Sequence, residues 1–397
     1  MRKGWEYKKL GEVATFINGD RGKNYPSAKD FVESGVPFIN AGHLNNGIIS
    51  YDKMNYITIN KYNSLGSGKI IKNDILFCLR GSLGKYAIVA EDSMGAIASS
   101  LVIIRPFQNA DNRFIAHFLS SAKIKEYIAK NNNGSSQPNL SAKSVASFII
   151  PLPTLSTQLA IVSELDKINE LIRLKKEQLK DFDNLAQSLF YEMFGDSVEN
   201  EKGWEVKKLG DCFSYIKNGA NIKQTKDVDG FPITRIETLA GGIFNRDRMG
   251  YAGIYDLSKY SAYVLESRDL LMSHINSKTY IGRTVEYKRN NDETIIHGMN
   301  LLRLKAIHDI IDSTFFVYYT KSGDFKSKIA RIRKDAVNQS SFAISDLKRL
   351  NIPLPPLSLQ RLFAQRIEQI EREKSEVQKS IQDLETLLAS RMQYWFE

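Results

Sequence analysis

Two similar stretches decide the fold of this chain: "IIPLPTLSTQ" at residues 149–158 and "NIPLPPLSLQ" at residues 351–360. In each stretch, prolines stop a short apolar run that is typical of a β-strand. A serine follows, Ser156 or Ser358, and this serine can cap a helix. The residues beyond it change to helical periodicity. The sequence therefore predicts the same junction of strand and helix twice.

Four further segments of the first half have counterparts in the second half, in the same order. They are "GWEYKKLGE" (4–12) with "GWEVKKLGD" (203–211), "GVPFINAGHLNNGII" (35–49) with "GFPITRIETLAGGIF" (230–244), "KNDILF" (72–77) with "SRDLLM" (267–272), and "RFIAHFLSSAKIK" (113–125) with "TFFVYYTKSGDFK" (314–326). Five ordered matches indicate a tandem duplication of a unit of about 200 residues.

A long helix is predicted after each junction. Apolar or long-stemmed residues recur there at alternating spacings of four and three, which is typical of a coiled-coil seam. These residues are Ile161, Leu165, Ile168, Ile172, Lys175, Leu179, Phe182, Ala186, Leu189 and Met193, and then Phe363, Ile367, Ile370, Lys374, Val377, Ile381, Leu384, Leu388, Arg391 and Trp395. Each helix of about 40 residues would be about 60 Å long. The alternative is two surface helices, each packed only on its own globule.

The predicted fold class is α+β, as a tandem pseudo-twofold repeat. Each copy mixes short β-rich runs, loops and one helical stretch before its long helix. The predicted segments are an α+β domain at 1–154, a helix at 155–194, a linker at 195–202, a second α+β domain at 203–356 and a second helix at 357–397. Twofold symmetry would pair the helices antiparallel and bring Glu397 close to Met1.

Composition bounds the location and the redox chemistry. No apolar run approaches the roughly 18 residues that span a bilayer, and the start of the chain lacks the apolar core of a secretory signal. We therefore expect a cytoplasmic protein without a membrane anchor. Cys78 and Cys212 lie singly in apolar surroundings, which favours buried thiols over a disulfide or a metal site.

The formal net charge of +10 lies in two separate blocks of the sequence. Residues 1–154 carry 19 Lys and Arg against 11 Asp and Glu, and residues 203–356 carry 24 against 17. The segments 155–202 and 357–397 are slightly acidic. This separation indicates that each block approaches a polyanion such as DNA. The alternative is a general surface excess that aids solubility.

A search for catalytic motifs yields no complete site. The stretch "NSLGSGKII" (63–71) lacks the first glycine and the hydroxyl residue of a phosphate-binding loop. The five histidines form no pair at metal-ligand spacing. Glu6 with Lys8, and Glu205 with Lys207, lack the upstream aspartate of a nuclease site, and alternation along a strand explains them better. We therefore expect no catalytic residue and no metal site.

The most variable parts of the repeat are its polar loops. The spacing between matched segments changes along the chain, so insertions and deletions lie between those segments. The loops there contain Asn, Ser, Gly, Arg and Lys, whose side chains read base edges or hold phosphates. They span 18–27, 80–85 and 130–139 in the first copy, and 218–227, 274–283 and 331–341 in the second. A constant frame with different loops favours two related readers of different sequences.

The chain resembles the specificity subunit of type I restriction-modification systems. The likeness is carried by "GWEYKKLGEV", "NDILFCLRGSLGKYAIV" and "SSQPNLSAKSVASFIIPLPTLSTQLAIVSELDKI", and by "GWEVKKLGD", "RDLLMSHINSKTYIGR" and "NIPLPPLSLQRLFAQRIEQI". It implies two target recognition domains that each read half of a bipartite, asymmetric site in double-stranded DNA. It further implies conserved helices that act as a spacer and dock two methyltransferase subunits, with restriction subunits completing the complex.

The resemblance also places catalysis and cofactors in the partner subunits. S-adenosylmethionine, ATP and magnesium would bind there, and none would bind to this chain. By motif position we expect DNA-binding residues in the loops. They are Arg21, Lys23, Asn24, Arg80, Ser82, Lys85 and Gln137 in the first copy, and Lys223, Gln224, Lys226, His274, Asn276, Ser277, Lys278, Arg283, Arg331, Arg333 and Gln339 in the second.

Two alternatives stay open. Within the same class, the chain would serve a type IIB-like or methylation-only assembly. In a different class, it would be a coiled-coil scaffold whose globules bind proteins. Salt dependence separates the classes, because a protein that neutralises phosphates loses DNA affinity steeply as salt rises.

Overall fold

The computed structural model describes residues 2–45, 47–131, 138–225, 228–337 and 339–397. The chain divides into two compact units. The first contains Met1–Lys176 and Lys379–Glu397, and the second contains Glu177–Gln378. Each unit therefore includes part of both long helices.

The elements of the first half follow the predicted order of β-rich runs, short helices and one long helix. They are β1 (Glu6–Lys9), β2 (Ala14–Asn18), β3 (Phe31–Val32), β4 (Val36–Ile39), β5 (Leu44–Asn45), β6 (Ile48–Ile49), β7 (Tyr56–Ile57), α1 (Ile59–Ser64), β8 (Ile75–Cys78), β9 (Tyr86–Ile88), β10 (Ala96–Ile97), β11 (Leu101–Pro106), α2 (Asn112–Ser120), α3 (Ala122–Asn131), α4 (Ala142–Ala146), β12 (Ile149–Leu152) and α5 (Leu155–Phe194).

The elements of the second half repeat this order with fewer short strands. They are β13 (Glu205–Lys208), β14 (Phe213–Asn218), β15 (Leu270–Ser273), β16 (Ile275–Asn276), β17 (Thr284–Glu286), β18 (Leu301–Ala306), α6 (Ser313–Tyr319), α7 (Gly323–Ile332), β19 (Lys334–Asp335), β20 (Ser340–Ser341), α8 (Ile344–Arg349), β21 (Asn351–Leu354) and α9 (Leu357–Phe396).

An antiparallel sheet of order β2-β11-β8-β9 forms the centre of the first unit. Its strand β8 is buried on both faces. Successive side chains of a strand point in opposite directions, so neighbouring residues of β8 pack on opposite sides of the sheet. Ile75 and Phe77 pack with Phe114 of α2. Leu76 packs on the opposite face with Ile39. The run "ILFC" is therefore apolar throughout.

The second unit is built on the same plan. Its central sheet has the order β14-β18-β15-β17, and β13 pairs with β21 as β1 pairs with β12. In β15, Leu270 packs with Phe315 of α6, and Leu271 packs on the other face with Val285. The tandem α+β duplication predicted from the sequence is confirmed.

The two copies differ in what surrounds this common sheet. The first unit has a second sheet of order β10-β4-β7-β3. In the second unit, the matching segment is held by isolated bridges from Ile233 to Gly250 and to Ile296. A small sheet of order β16-β20-β19 is found in the second unit instead. The frame is shared, and the additions to it are not.

The long helices α5 and α9 pair antiparallel, as predicted. In the first unit Glu164 forms an ion pair with Arg391, and Lys176 lies 2.7 Å from Glu385. In the second unit, Asp183 lies 2.7 Å from Lys374. Within the first unit, the later position in α5 therefore meets the earlier position in α9.

Most apolar residues of the predicted seam are buried in the units. Buried seam positions include Ile161, Leu165, Ile168, Ile172, Ala186, Met193, Phe363, Ile367, Ile370, Val377 and Ile381. Phe190, which the seam prediction left out, is also buried and lies 5.7 Å from the Phe363 ring, centre to centre. A large aromatic ring thus reinforces the seam beside its heptad positions.

The predicted serine caps of the long helices are wrong. Helix α5 begins at Leu155 and α9 at Leu357, so Ser156 and Ser358 lie inside the first turns. The carbonyl of Thr154 already accepts a hydrogen bond from the Gln158 N–H at 3.0 Å. That bond starts the helix two residues earlier than a serine cap would require.

A glutamine in the first turn of each helix fastens the helix to its own α+β sheet domain. The Gln158 side chain is fully buried, accepts from the Asp111 N–H at 2.9 Å, and donates to the carbonyls of Asn109 at 3.1 Å and Pro153 at 2.9 Å. Asp111 in turn caps α2 with its carboxylate. One side chain therefore joins the strand end, the helix α2 and the long helix.

The second unit repeats this arrangement with Gln360. Its buried side chain accepts from the Asp312 N–H at 2.9 Å and donates to the carbonyls of Ile310 at 3.3 Å and Pro355 at 2.8 Å. Asp312 caps α6 as Asp111 caps α2. We call Gln158 and Gln360 the clamp glutamines.

The two ends of the chain meet in the first unit. Met1 lies outside the described residues, but the guanidinium carbon of Arg2 lies 4.1 Å from the centre of the Tyr394 ring. The rings of Trp5 and Trp395 stack nearly parallel at 6.1 Å between centres. The expected approach of the C-terminus to the N-terminus is therefore seen at Arg2 and Trp5.

We predict that Gln158→Ala lowers the free energy of unfolding by about 2 to 4 kcal/mol. The change removes three hydrogen bonds of a fully buried side chain. Each buried group left without a partner costs about 1 to 3 kcal/mol before water enters. Denaturant unfolding followed by circular dichroism measures the loss. Gln178→Ala, an exposed position on the same helix, is the matched control. Equal stabilities of the two variants would show that the clamp carries no such energy.

Candidate nucleic-acid interface

The loop after the central strand β8 presents the first set of candidate residues. Arg80, Ser82 and Lys85 are exposed, whereas Leu83 between them packs against the core. The turn needs glycine, because Gly81 and Gly84 have φ of 79° and 83°, which other residues rarely adopt. The loop thus fixes its apolar residue and leaves its polar side chains in solvent.

This loop pairs with a second predicted loop of the same unit. The Gly81 N–H donates to the Pro138 carbonyl at 3.1 Å, and the Leu140 N–H donates to the Leu79 carbonyl at 2.8 Å. Arg80 and Asn139 form a bridge between these bonds. Gln137 lies outside the described residues. Two of the three predicted loops therefore meet in the first unit.

The corresponding loop of the second unit is longer but joins the same frame. The Cys78 N–H donates to the Lys85 carbonyl at 2.8 Å, and the Ser273 N–H donates to the Arg283 carbonyl at 2.9 Å. Lys85 and Arg283 thus occupy matching positions. Residues 79–84 connect them in the first unit and residues 274–282 in the second, so the second loop has an insertion of three residues.

The second unit also brings two predicted loops together. Ile275 and Asn276 pair with Ser341 and Ser340, and β20 pairs in turn with β19. Around this small sheet, the ammonium of Lys278 lies 3.0 Å from the carboxylate of Asp335. The loops 274–283 and 331–341 therefore form one surface.

Asp335 organises the cations of that surface. Its carboxylate accepts from the Ser340 hydroxyl at 2.6 Å and lies 3.1 Å from Arg333 Nε. The hydrogen bonds from Ser340 and Lys278 lower the pKa of Asp335. Lys278 and Arg333 are therefore held in place, with part of their charge balanced.

Arg283 is oriented by two contacts. Its guanidinium carbon lies 4.3 Å from the centre of the Tyr280 ring, and Nη1 donates to the Leu239 carbonyl at 3.2 Å. A stacked, planar guanidinium loses little conformational freedom when it binds a base edge or a phosphate. Arg283 is thus the best-oriented cation of this loop.

Polar neighbours in the same loop serve both the turn and the surface. Asn276 donates from its amide to the Ser273 hydroxyl at 3.1 Å and accepts from the Ser277 N–H at 2.8 Å. Ser277 is exposed, as are Arg331 at the end of α7 and Gln339 before β20. Asn276 therefore shapes the loop, while the other three side chains face solvent.

The third predicted loop of the first unit is fastened elsewhere. Arg21 and Lys23 are exposed and Asn24 is half-buried in a short 3₁₀ turn. The carboxylate of Asp20 accepts from the N–H of Gly66 at 2.7 Å and of Arg21 at 2.6 Å. The bond from Gly66 attaches the loop to the turn that contains this glycine.

The prediction for Gln224 in the second unit needs correction. Its amide donates to the Thr234 carbonyl at 3.4 Å, and its side-chain oxygen is buried. A Cβ on Gly250 would lie 2.3 Å from that oxygen, so the absence of a side chain at Gly250 makes room for Gln224. Gln224 therefore supports the loop from inside. Lys223 is exposed, and Lys226 lies outside the described residues.

The interpretation of His274 as a base-reading side chain is wrong. Only 5% of His274 is exposed, and its ring meets Phe342 edge-on at 6.3 Å between centres. Burial lowers the pKa of His274 to about 4, so the ring is neutral at physiological pH. The buried Leu79 occupies the matching position in the first unit. His274 is therefore a core residue beneath the loop.

Buried ion pairs beneath each sheet were not identified from the sequence. Asp74 lies 2.7 Å from Arg105, and Asp269 lies 2.6 Å from Arg303. Each aspartate also accepts a hydrogen bond from the backbone N–H of the residue three positions earlier in the chain. The repeated "ND" and "RD" before the central strand is the signal that could have predicted them. These pairs fix the strand from which the polar loop extends.

The thiols are buried, as predicted. The Cys78 Sγ donates to the Arg80 carbonyl at 3.1 Å, directly beneath the first polar loop. Burial raises the pKa of Cys78 and raises that of Cys212 to about 11. Neither thiol is therefore a nucleophile near neutral pH.

Two features are absent from the described residues: a cluster that could hold a metal ion and a helix that could span a membrane. Within the described ranges, no three or more His, Cys, Asp or Glu side chains are arranged to hold a metal ion. No helix in the described part of the chain has the length and apolar character that crossing a membrane requires.

The repeated frame, the long paired helices and the cationic loops define a class of duplicated binding proteins. A family model for the type I restriction modification DNA specificity domain matches residues 2–181 and again residues 201–386. The chain belongs to this family. Its members are specificity subunits, which recognise DNA sequence and direct the other subunits of type I systems.

Relatives of known class support the assignment. The putative specificity subunit of type I restriction enzyme MjaX from Methanocaldococcus jannaschii is 37% identical over 186 residues, which are 47% of this chain and 44% of that protein. The StySPI specificity subunit of Salmonella potsdam is 24% identical over 99% of this chain and 88% of that protein. The EcoKI specificity subunit of Escherichia coli K12 is 22% identical over 96% and 85%.

Solved structures share the fold. A chain from a structure on the assembly and conformational transition of the type I R-M system superimposes with a TM-score of 0.63 at 20% identity, over 99% of this chain and 97% of that one. The S subunit from M. genitalium gives a TM-score of 0.54 at 14% identity, over 99% and 96%. The likeness extends over both repeats.

We predict that His274→Leu makes the second unit less sensitive to acid. The folded pKa of about 4 lies below the unfolded value, so the stabilising effect of the neutral ring is complete above the unfolded pKa. It is lost as the pH falls from about 6.5 toward the folded value. At about pH 5 the wild type should have lost about 2 kcal/mol through this group, which the variant should retain. Urea unfolding at neutral pH and at about pH 5 measures the difference.

The exposed His308 provides the control for this prediction. His308→Leu removes an exposed imidazole of the same unit and should leave the acid sensitivity unchanged. An unchanged acid sensitivity of His274→Leu would contradict the burial argument. A loss of DNA affinity by His274→Leu at neutral pH would instead restore a base-reading role.

Proposed function

We propose that each repeat of this chain reads one half of a bipartite, asymmetric site in double-stranded DNA. The observation that carries the proposal is the pair of matching loops around Lys85 and Arg283. They follow the corresponding strands β8 and β15 of the two central sheets, but they differ in length and in polar side chains. The two similar sheet domains would approach DNA in the same way, and their different loops would select different bases.

The charge distribution supports contact with the DNA backbone. The basic excess lies in residues 1–154 and 203–356, which contain the loops. Arginine and lysine at the loops neutralise phosphates, and release of counterions then drives binding. Asn139, Ser277 and Gln339 supply the neutral donors and acceptors that base edges require.

The proposal assigns catalysis to partner subunits. Two methyltransferase subunits would dock on the paired helices, and restriction subunits would complete a nuclease. S-adenosylmethionine, ATP and magnesium would bind to those partners. The similarity to a chain from a type I R-M assembly supports such partners. A chain that directs enzymes to genomic DNA would work in the cytoplasm.

Two other functions remain to be compared with this one. A type IIB-like or methylation-only assembly would use the same DNA surface with different partners, and neighbouring genes would identify it. A coiled-coil scaffold would bind proteins through its globules. Its affinity for DNA would not depend on the base sequence, whereas that of a reader would.

Arg80→Ala is predicted to relax base preference in one half of the site only. Loss of an arginine that contacts a base costs about 1 to 3 kcal/mol, or about 5- to 150-fold in affinity. Arg283→Ala is the matched variant in the other repeat and should relax the other half. Selection of bound duplexes from a random pool reads both halves at once. Relaxation of both halves by either variant would refute the assignment of one reader to each half.

Deleting one heptad from both long helices is predicted to shorten the gap between the half-sites. Removal of residues 173–179 together with residues 379–385 keeps the antiparallel seam in register. Seven helical residues span about 10 Å, which corresponds to about three base pairs of duplex. Insertion of one heptad at the same points should lengthen the gap equally. An unchanged gap in both variants would exclude a spacer role.

A further inference from the structure

The second unit contains a basic pocket beside its polar loop. The pocket has a volume of about 550 Å³. Its lining includes five cations, Lys278, Arg283, Lys321, Lys326 and Arg333, and none of the lining residues is acidic. We call it the α7 pocket, because helix α7 forms one wall.

The loop wall of the pocket approaches α7 closely. Gly282 has φ of 80°, and a Cβ there would lie 3.2 Å from Ile329 Cγ1. Ile281, Phe325 and Ile329 belong to the hydrophobic core or pack against it. The pocket therefore has an apolar floor beneath a ring of cations.

The cations of the pocket fall into two groups. Lys278 and Arg333 share the carboxylate of Asp335, so part of their charge is balanced. Lys321 and Lys326 come from the other wall. The Lys321 ammonium lies 4.1 Å from the centre of the Tyr318 ring, and its charge also interacts with Glu371 and Asp183. These two lysines lie outside the loops that the sequence singled out.

Two of the three threonine hydroxyls in the pocket lining already donate hydrogen bonds within the protein. Thr284 donates its hydroxyl to the Gly282 carbonyl at 3.1 Å, and Thr320 donates to the Val317 carbonyl at 2.7 Å. Attraction in the pocket is therefore mainly electrostatic. Lysine acts as a point charge without the fixed fork that reads a base edge, so the pocket suits a phosphate better than a base.

We propose that the α7 pocket binds a phosphodiester group of the DNA strand beside the half-site read by the second unit. Lys321 and Lys326 neutralise the phosphate, and the apolar floor receives the deoxyribose face. The inference rests on the proposed function. Arg283 lines the pocket and also belongs to the base-reading loop, so a phosphate held here would fix the position of that loop on the duplex.

The first unit offers a comparison at the matching positions. Lys125 and Lys85 correspond to Lys326 and Arg283, but Ser120 stands where the second unit has Lys321. Ser120 donates to the carbonyl of His117 at 2.8 Å. The extra ammonium is therefore specific to the second unit, and the phosphate contact should be stronger there.

The test uses the full chain with Lys321→Gln and Lys326→Gln combined. Affinity for duplexes that contain both half-sites is measured over a range of salt concentrations, with wild type alongside. The matched control is Lys208→Gln with Lys259→Gln, two exposed lysines of the same unit outside the pocket. Lys321→Arg with Lys326→Arg keeps the charge and tests whether the double glutamine variant has only lost structure.

We expect the glutamine variant to lose affinity on the order of tenfold for every duplex, with its base preference unchanged. The slope of log affinity against log salt should fall by about 1, as for one phosphate contact. The arginine variant should restore both values, and the control should match wild type. An unchanged slope in the folded glutamine variant would overturn the proposal, as would a selective loss of preference at one half-site.

Two further measurements separate this proposal from its alternatives. Tight binding of inorganic phosphate or of a mononucleotide, with DNA affinity unaffected by the glutamine variant, would make the pocket a small-anion site and overturn the proposal. If wild type showed no sequence preference at all, the proposed function would fail. A reduced salt slope in the glutamine variant would then still support the phosphate contact.

Discussion

The hydrogen bonds of the clamp glutamines are the interaction on which the rest of each unit depends. Gln158 and Gln360 are fully buried at the point where a strand ends and a long helix begins. Each joins three segments of backbone, one of which is capped by an aspartate. A side-chain amide whose oxygen accepts and whose nitrogen donates hydrogen bonds fixes the relative orientation of the backbone segments that it joins, as well as their distance. The clamp and the core contacts of residues such as Ile161 and Phe363 together hold each α+β sheet domain on its helix.

Above the clamp, each unit combines a fixed frame with a variable surface. Buried pairs such as Asp74 with Arg105 anchor the central strand, and the loop that follows this strand carries the polar side chains. The second loop is longer, forms β16 and pairs with β20. The two copies therefore share the central sheet, and they differ in the loop after its central strand and in the elements around the sheet. This arrangement suits a protein whose two halves recognise different sequences.

The sequence predicted the duplication, the sheet and helix content and the antiparallel helices, because periodic apolar patterns report which faces are buried. It failed at single side chains whose partners are distant in sequence. His274 and Gln224 looked like loop residues, yet Phe342 and Gly250 enclose them. Gln158 looked like an ordinary polar residue of a first helical turn. Lys321 was missed because its pocket forms only when α7 packs beside the loop.

The central claim is that one chain holds two independent readers of DNA sequence. Mapping adenine methylation across the genome of cells that carry or lack this gene tests it most directly. The account predicts a split motif, with two specified halves and an unspecified gap of constant length, that disappears when the gene is removed. A single continuous motif that depended on the gene, or a methylation pattern that did not change, would contradict it.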